Sequence, residues 1–301
     1  MGAVRQVVIV GGGTAGWLAA NHLANNLASK TPQGVQVTLI ESPNIPTVGV
    51  GEGTVPLMRQ SLQALGISET EFIQECEATF KQGIKFVDWV TNPEKINPSI
   101  NKTSNQPNYY HHVFDYPQIN DIDLTPYWLK SVNERLETAQ SYVDTVSIQG
   151  QLCDAGLAPK LITTPEYQGL SAYAYHLDAG KFAKLLTKNA TQKLGVSHIL
   201  ADVIKVKQHL NGDIASVITD TAGEITGDLF IDCTGFSALL IGQTLNVPFI
   251  DKSDVLFADH AVVMQVPYQS PEQAIESYTI STAKQAGWLW DIGLQTRRGI
   301  G

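Results

Sequence analysis

The sequence predicts an α/β fold, and three observations carry that expectation. An apolar, β-branched run, Gln6–Val10, ends in a glycine cluster, Gly11–Gly16. A helical pattern follows over Thr14–Ala28, with Ala20, Leu23 and Leu27 on one face. A second apolar run, Gln36–Ile40, then closes on the acid Glu41. Strand, glycine turn, helix and strand make a βαβ unit, whose parallel strands are buried on both faces and read as continuous apolar runs.

The remaining elements follow from local signals. Ser68, with Glu71 three residues on, is a helix-start pattern, and Ile67 and Phe72 are spaced as a hydrophobic staple. The helix so started is expected to carry Phe72, Cys76 and Phe80 on one face and to end at Gly83. Residues 91–126, rich in Asn, Pro, Tyr and His, lack periodicity and read as a long insertion or the start of a second domain. Ala174–Ala190 reads as a helix with an extended entry. Ala201–Lys207 and Ile214–Asp220 flank Asn211-Gly212, the dipeptide that favours a tight hairpin turn. The hairpin leads into another strand, Asp228–Gly235, which ends in a glycine.

Composition excludes several classes. A formal charge of −9 over 301 residues argues against nucleic acid or an anionic membrane as partner, because both require clustered Lys and Arg. No run approaches the roughly 20 apolar residues of a membrane span. The three cysteines, Cys76, Cys153 and Cys233, have no metal-ligand spacing, and their odd number suits reduced thiols in a cytoplasmic protein. No metal site is expected.

The glycine cluster points to a dinucleotide. Phosphate oxygens need N–H donors, and a helix N-terminus offers them with a favourable dipole. Gly11 permits the tight turn, Gly13 lets backbone approach a pyrophosphate, and Gly16 lets helix pack on strand, with Thr14 and Ala15 in the first turn. Glu41, beside Ser42, comes later than the usual ~20 residues but at a strand end, where it can accept from ribose hydroxyls. FAD is favoured over NAD because hairpin and Asp228–Gly235 strand return to the same sheet, as in the glutathione-reductase-like flavoprotein fold. Val203 is either an adenine contact or a plain core valine. No second glycine fingerprint marks an NAD(P)H site.

Six stretches then resemble the flavin-dependent tryptophan halogenase family, in family order: Val7–Trp17, Ile45–Pro56, Ala78–Trp89, Ala174–Ala183, Gly227–Phe236 and Gly287–Leu294. The resemblance implies an enzyme in which reduced FAD, O₂ and chloride or bromide yield hypohalous acid. The oxidant then passes through an enclosed channel to a lysine and on to an indole-like arene. Lys81 matches that lysine, acting either as a haloamine or as a protonated donor that polarises the oxidant, while Lys85 is expected to be structural. The resemblance also implies a flavin-side strap at Gly49–Pro56, including Val50, with Glu52 either an acid/base or bound to backbone amides. Trp288, Trp290 and Ile292 match bulk that separates substrate from flavin. Gly293 replaces the family's proline, which is expected to free the backbone there. His111, His112 and Phe114 lie where substrate-pocket aromatics occur, with packing roles an equal alternative for the histidines.

The organisation so implied is an FAD-binding glutathione-reductase-like Rossmann module at 1–90 and 160–255, with a substrate-side region at 91–159 and 256–301. The family continues beyond Gly301 with its halide contacts and a partner glutamate, so this chain is expected not to turn over alone. A separate flavin reductase is the implied supplier of reduced FAD, and a homodimer is left open. Two alternatives stand at this point: an aromatic flavin monooxygenase, in which Lys81 is dispensable, and a non-catalytic flavin-binding fragment.

Overall fold

The computed structural model describes residues 3–46, 49–91, 108–134 and 141–301. In chain order the first elements are β1 (Gln6–Val10), α1 (Thr14–Asn26), β2 (Gln36–Glu41), β3 (Glu52–Gly53), α2 (Leu57–Ala64) and α3 (Glu69–Glu75). Next come β4 (Thr79–Lys81), β5 (Gly83–Val87), β6 (Tyr109–Val113), β7 (Gln118–Ile119) and β8 (Ile122–Asp123). Three short helices follow, α4 (Thr125–Asn133), α5 (Tyr142–Val146) and α6 (Gln149–Asp154), then β9 (Ala174–Leu177) and α7 (Ala179–Gln192). The last are β10 (Ser197–Leu200), β11 (Val203–Gln208), β12 (Ile214–Thr219), β13 (Glu224–Thr226), β14 (Leu229–Asp232), β15 (Met264–Pro267), β16 (Thr279–Lys284), β17 (Gly287–Gly293) and β18 (Arg297–Ile300).

The chain divides into two compact units. The first comprises Met1–Gly49, Leu65–Ile67 and Ala179–Asp259, and the second Val50–Ala64, Ser68–Asp178 and His260–Gly301. Their bounds differ from those expected from sequence: most of 50–90 groups with the second unit rather than with the glycine cluster.

The first unit is a parallel four-stranded sheet in the order β10-β2-β1-β14. Val7, Val8 and Ile9 are all but inaccessible, as strands covered on both faces require. The strand after the hairpin does return to this sheet, where β14 pairs with β1. The turn between β1 and α1 is held by close packing. Gly11 has a φ of +114°, and a Cβ there would lie 2.2 Å from the Cys233 carbonyl oxygen. A Cβ on Gly16 would lie 1.9 Å from the Gly11 oxygen, so only glycine lets helix close on loop. Helices α1 and α7 meet through a buried amide pair. Asn21 Nδ2 donates to the Trp17 and Leu186 carbonyls at 2.8 and 3.0 Å, and Asn189 Nδ2 donates to Asn21 Oδ1 at 2.9 Å. The hairpin β11–β12 forms as expected, with Gly212 at a φ of +92°.

The second unit holds a mixed sheet, β15-β18-β17-β16-β5-β6, and a small antiparallel sheet, β3-β9-β4. Here the expected helix is corrected. Ser68 caps α3 by accepting from Glu71 N at 3.3 Å, but the helix stops at Glu75 instead of running to Gly83. Glu77 turns left-handed at a φ of +49°, and Ala78 N–H closes on the Ile73 carbonyl at 3.1 Å, a Schellman-type ending. Thr79 and Phe80, both suited to strands, then begin β4. Lys81 therefore stands on a strand, not near a helix end. Tyr109–Val113, within the stretch read as aperiodic, pairs with β5, while 92–107 lie outside the described residues. Among the described residues no helix is long and apolar enough to cross a membrane.

Replacing Asn21 with Ala removes the side-chain donor to the Leu186 carbonyl and one of the two acceptors of the Asn189 amide, which keeps the Leu65 carbonyl at 3.2 Å. The expected loss is about 2 kcal/mol of unfolding free energy, read from urea denaturation, because each buried hydrogen bond lost between the two helices contributes ~0.5–1.5 kcal/mol. A change below about 0.5 kcal/mol, the size of an ordinary surface substitution, would show that the amide pair is incidental.

Candidate functional site

In the first unit the features that suit a dinucleotide converge on the start of α1. Gly13 is the N-cap, no side chain caps the helix, and its first turn holds no acidic residue. The N–H groups of Thr14, Ala15 and Gly16 thus face outward at the positive end of the helix dipole. Nothing lies within 4 Å of the point where a Cβ on Gly13 would stand, an open cradle next to those donors. The residues present fit a pyrophosphate.

Glu41 ends β2 and folds back over the loop, so close that a Cβ on Gly12 would lie 2.3 Å from its Cδ. Its Oε2 is 2.8 Å from His198 Nε2, although the imidazole is not aligned for a hydrogen bond. A cavity of about 620 Å³ opens beside Glu41, walled by the Lys184, Thr187 and Thr191 face of α7. Ser42 is engaged locally, its Oγ accepting from Asn44 N and Ile45 N at 3.0 and 3.2 Å. Val203 is partly buried and packs against the cluster formed by Val8, Val10, Ile40, Val217 and Leu240.

In the second unit the geometry centres on β9. Its residues alternate between two faces, and register with β4 decides which side chains share them. Phe80 pairs with Tyr175, while Lys81 pairs with Ala174 and Thr79 with His176. One face therefore carries Tyr173, Tyr175 and Phe80, and the other carries Lys81 and His176.

On the aromatic face, Glu69 is 2% exposed and saturated with donors. Oε1 accepts from the Tyr173 and Tyr175 hydroxyls at 2.6 and 2.7 Å, and Oε2 accepts from Lys160 Nζ and Tyr167 N at 2.6 and 2.7 Å. Burial alone would raise the Glu69 carboxyl, but the bonds from Lys160, Tyr173, Tyr167 and Tyr175 hold it below the ordinary carboxylate range. Burial and the same carboxylate push Tyr173 and Tyr175 upward, so both stay protonated donors.

On the opposite face Lys81 is 7% exposed. Among the described residues it has neither a carboxylate partner nor a hydrogen bond. The centroid of the Phe114 ring lies 5.6 Å from Nζ. Desolvation lowers its affinity for a proton below the usual lysine range, and no neighbouring anion counters that effect.

Lys85 behaves differently. Its Nζ donates to Asp154 Oδ1 at 2.7 Å and lies 3.8 Å from the centroid of Tyr109. The same carboxylate bonds buried His111 through Nε2 at 2.9 Å and the Tyr109 hydroxyl at 2.9 Å. Sheet register places this group away from Thr279, because Lys85 pairs with Ile280 and His111, whereas Thr279 pairs with Ile84. Lys85 and His111 are thus both tied to Asp154, and His112 is exposed.

Trp288 and Trp290 stand opposite Ala283 and Ser281, on the face of the sheet that carries Thr279. Trp288 is 45% exposed and lies 6.3 Å from Trp89, ring to ring. Gly293 does not free the backbone as expected. It is held in β17 opposite Arg298, and its carbonyl accepts from Thr79 Oγ1 at 2.6 Å. The Val50 carbonyl accepts from Arg297, which also bonds Asp178 at 2.8 Å, so this part of the strap is anchored within the second unit.

Two residues of the Lys81 face escaped the sequence reading. His176 is fully buried, bonds Thr279 Oγ1 through Nε2 at 2.8 Å, and leaves Nδ1 without a partner. Its signal was available: one imidazole inside the apolar run Ala174–Leu177. Thr279 carried none, since it reaches the site only through sheet pairing.

Comparison with known proteins gives this geometry a context. A family model described as tryptophan halogenase matches residues 6–301. A tryptophan 7-halogenase of Lentzea aerocolonigenes is 36% identical over 302 residues, covering 100% of this chain and 55% of the relative. The crystal structure of a tryptophan halogenase from Shewanella frigidimarina superposes with a TM-score of 0.89 at 44% identity, covering 99% of this chain and 55% of that one. A flavin-dependent halogenase from Xanthomonas campestris gives a TM-score of 0.82 at 37% identity, with 99% and 55% covered. The chain thus spans about half the length of the relatives it matches. With its nucleotide-type glycine turn and its parallel sheet, this chain belongs to the tryptophan halogenase family.

Proposed function

We propose that the protein is a flavin-dependent halogenase that modifies tryptophan or a related indole, and that this chain supplies its FAD cradle and its relay lysine. The observation that carries the reading is Lys81: a lysine withdrawn from water with no opposing charge among the described residues. Lys85 and Lys160, by contrast, are each paired with a carboxylate.

FAD would be held by backbone at Gly11, Gly13, Thr14, Ala15 and Gly16, with Glu41 at its ribose. Ser42, Val203 and Val50 are further proposed contacts. FAD delivered in its reduced form by a separate reductase would, once bound, supply hypohalous acid with O₂ and chloride or bromide. The neutral Lys81 amine attacks its halogen: an N–X bond forms, the X–O bond breaks, and hydroxide leaves with an amine proton as water. The electron-rich ring carbon then takes the halogen from nitrogen, and the proton lost from that carbon restores the amine. Only an unprotonated amine has the lone pair for the first step, which is why unopposed burial matters. Phe114, Trp288 and Trp290 offer aromatic surface suited to packing an arene.

Three outcomes test this. In the full-length protein, assayed with a flavin reductase, halide and an indole panel, Lys81→Ala should cut halogenated product by more than about a hundredfold while FAD affinity stays within about twofold. Persistent product would remove Lys81 from the mechanism.

Gly13→Val should fill the open cradle and weaken FAD at least about tenfold in a fluorescence titration, equivalent to about 1.4 kcal/mol. Unchanged affinity would move the pyrophosphate elsewhere.

The third concerns pH. Because burial lowers the Lys81 value from 10.5, the unfolded chain holds a proton that the folded chain lacks between the folded value and 10.5. Lys81 therefore destabilises the fold below its folded value, and that penalty is relieved as pH rises through this window. Lys81→Met should have the higher Tm at pH 7, with the gap narrowing toward pH 10. An equal gap at both would contradict the unopposed charge.

A further inference from the structure

The Lys81 amine shares a small space with two groups that have no assigned role. The point where a Cβ on Gly53 would stand lies 2.9 Å from Lys81 Nζ, 3.5 Å from Thr279 Oγ1 and 3.6 Å from His176 Cδ2. The imidazole is completely buried and bonds Thr279 at 2.8 Å, yet its other nitrogen has no partner. Orphaned buried N–H groups are rarer than under-used lone pairs, so the proton belongs on Nε2, and the imidazole donates to the threonine hydroxyl. Burial first, and the Lys81 charge second, hold His176 down to about 3, so the ring is neutral at working pH.

Other groups around the amine do not replace this pair. Phe114 stands near the outer limit of a cation–π contact at 5.6 Å. Glu52 pairs with Leu177, on the opposite face of the small sheet, and Lys85 is turned to the opposite face of its own sheet. His176 is the titratable neighbour of Lys81 among the described residues.

We propose that His176 is a positioning residue for Lys81 acting through Thr279: by donating to the hydroxyl it occupies one of its two lone pairs and fixes its orientation, makes it a poorer acceptor for the ammonium, and so favours the amine in its nucleophilic form. The inference rests on the relay role given to Lys81 above. It assigns the histidine no contact with substrate or cofactor.

The test is titration of Lys81 in the full-length protein by carbon NMR with labelled lysine, the signal being assigned through its loss in Lys81→Met. His176→Phe should free the hydroxyl to accept from Lys81 and raise its titration midpoint by about one pH unit, a tenfold gain in proton affinity. Adding Thr279→Val in that background should return the midpoint to the wild-type value, and His176→Gln, which keeps a donor, should hold it there. An unmoved midpoint in His176→Phe overturns the proposal. Thr279→Val alone, which serves even where His176→Phe does not fold, should leave the midpoint in place. A fall would mean that the hydroxyl already accepts from the ammonium, and would also overturn it. These measurements do not depend on turnover, so halogenated product from Lys81→Ala judges the relay role separately.

Discussion

A lysine taken out of water without an anion or a set of acceptors must be held there by the rest of the fold. Lys81 is in that position, on β4 with its amine at the Gly53 backbone. What holds it is β9, and what holds β9 is Glu69 on its other face. That carboxylate gathers two tyrosine hydroxyls of the β9 segment, a lysine and a backbone amide. A buried carboxylate so completely bonded is rigid, because loss of any donor leaves charge unsolvated. Glu69 is balanced by Lys160 within its own network, and Lys81 is left without help from it.

The same principle operates in reverse at the glycine turn. There the chain presents uncapped N–H groups instead of a cation. The packing that exposes them is as strict: Gly11 and Gly16 leave no room for a methyl group, whereas Gly13 faces open space. Three glycines that look equivalent in sequence thus divide into two that close the fold and one that clears a surface. Glu41, folded across Gly12, completes the rim.

Most of the first unit was legible because its signals are local. Strand β1, helix α1, strand β2, the hairpin and β14 follow from short apolar runs, glycines and one Asn-Gly turn, all resolved within a few residues. The stretch from Ser68 to Gly83 was misread for the same reason. Phe72, Cys76 and Phe80 happen to repeat at a helical interval, and nothing in the residue type of Glu77 announces a left-handed turn. Lys81 was singled out through family resemblance, since its pattern alone describes a solvated lysine. His176 and Thr279 are 103 residues apart in sequence. Their meeting depends on how β9 and β16 are placed, which no local rule supplies.

Lys85, four residues after Lys81, shows what the contrast between the two lysines would imply for a protein that carries the relay proposed above. Its nitrogen is locked to Asp154, within a cluster that also ties down His111 and Tyr109. An ion-paired ammonium has no lone pair to offer, so a stray electrophile meeting both side chains reacts with one and passes the other. Under the proposed relay, Asp154 would thereby act as a guard against self-inflicted damage: it would keep a neighbouring nitrogen inert, so that a reactive species made inside the protein would be consumed where it can be used.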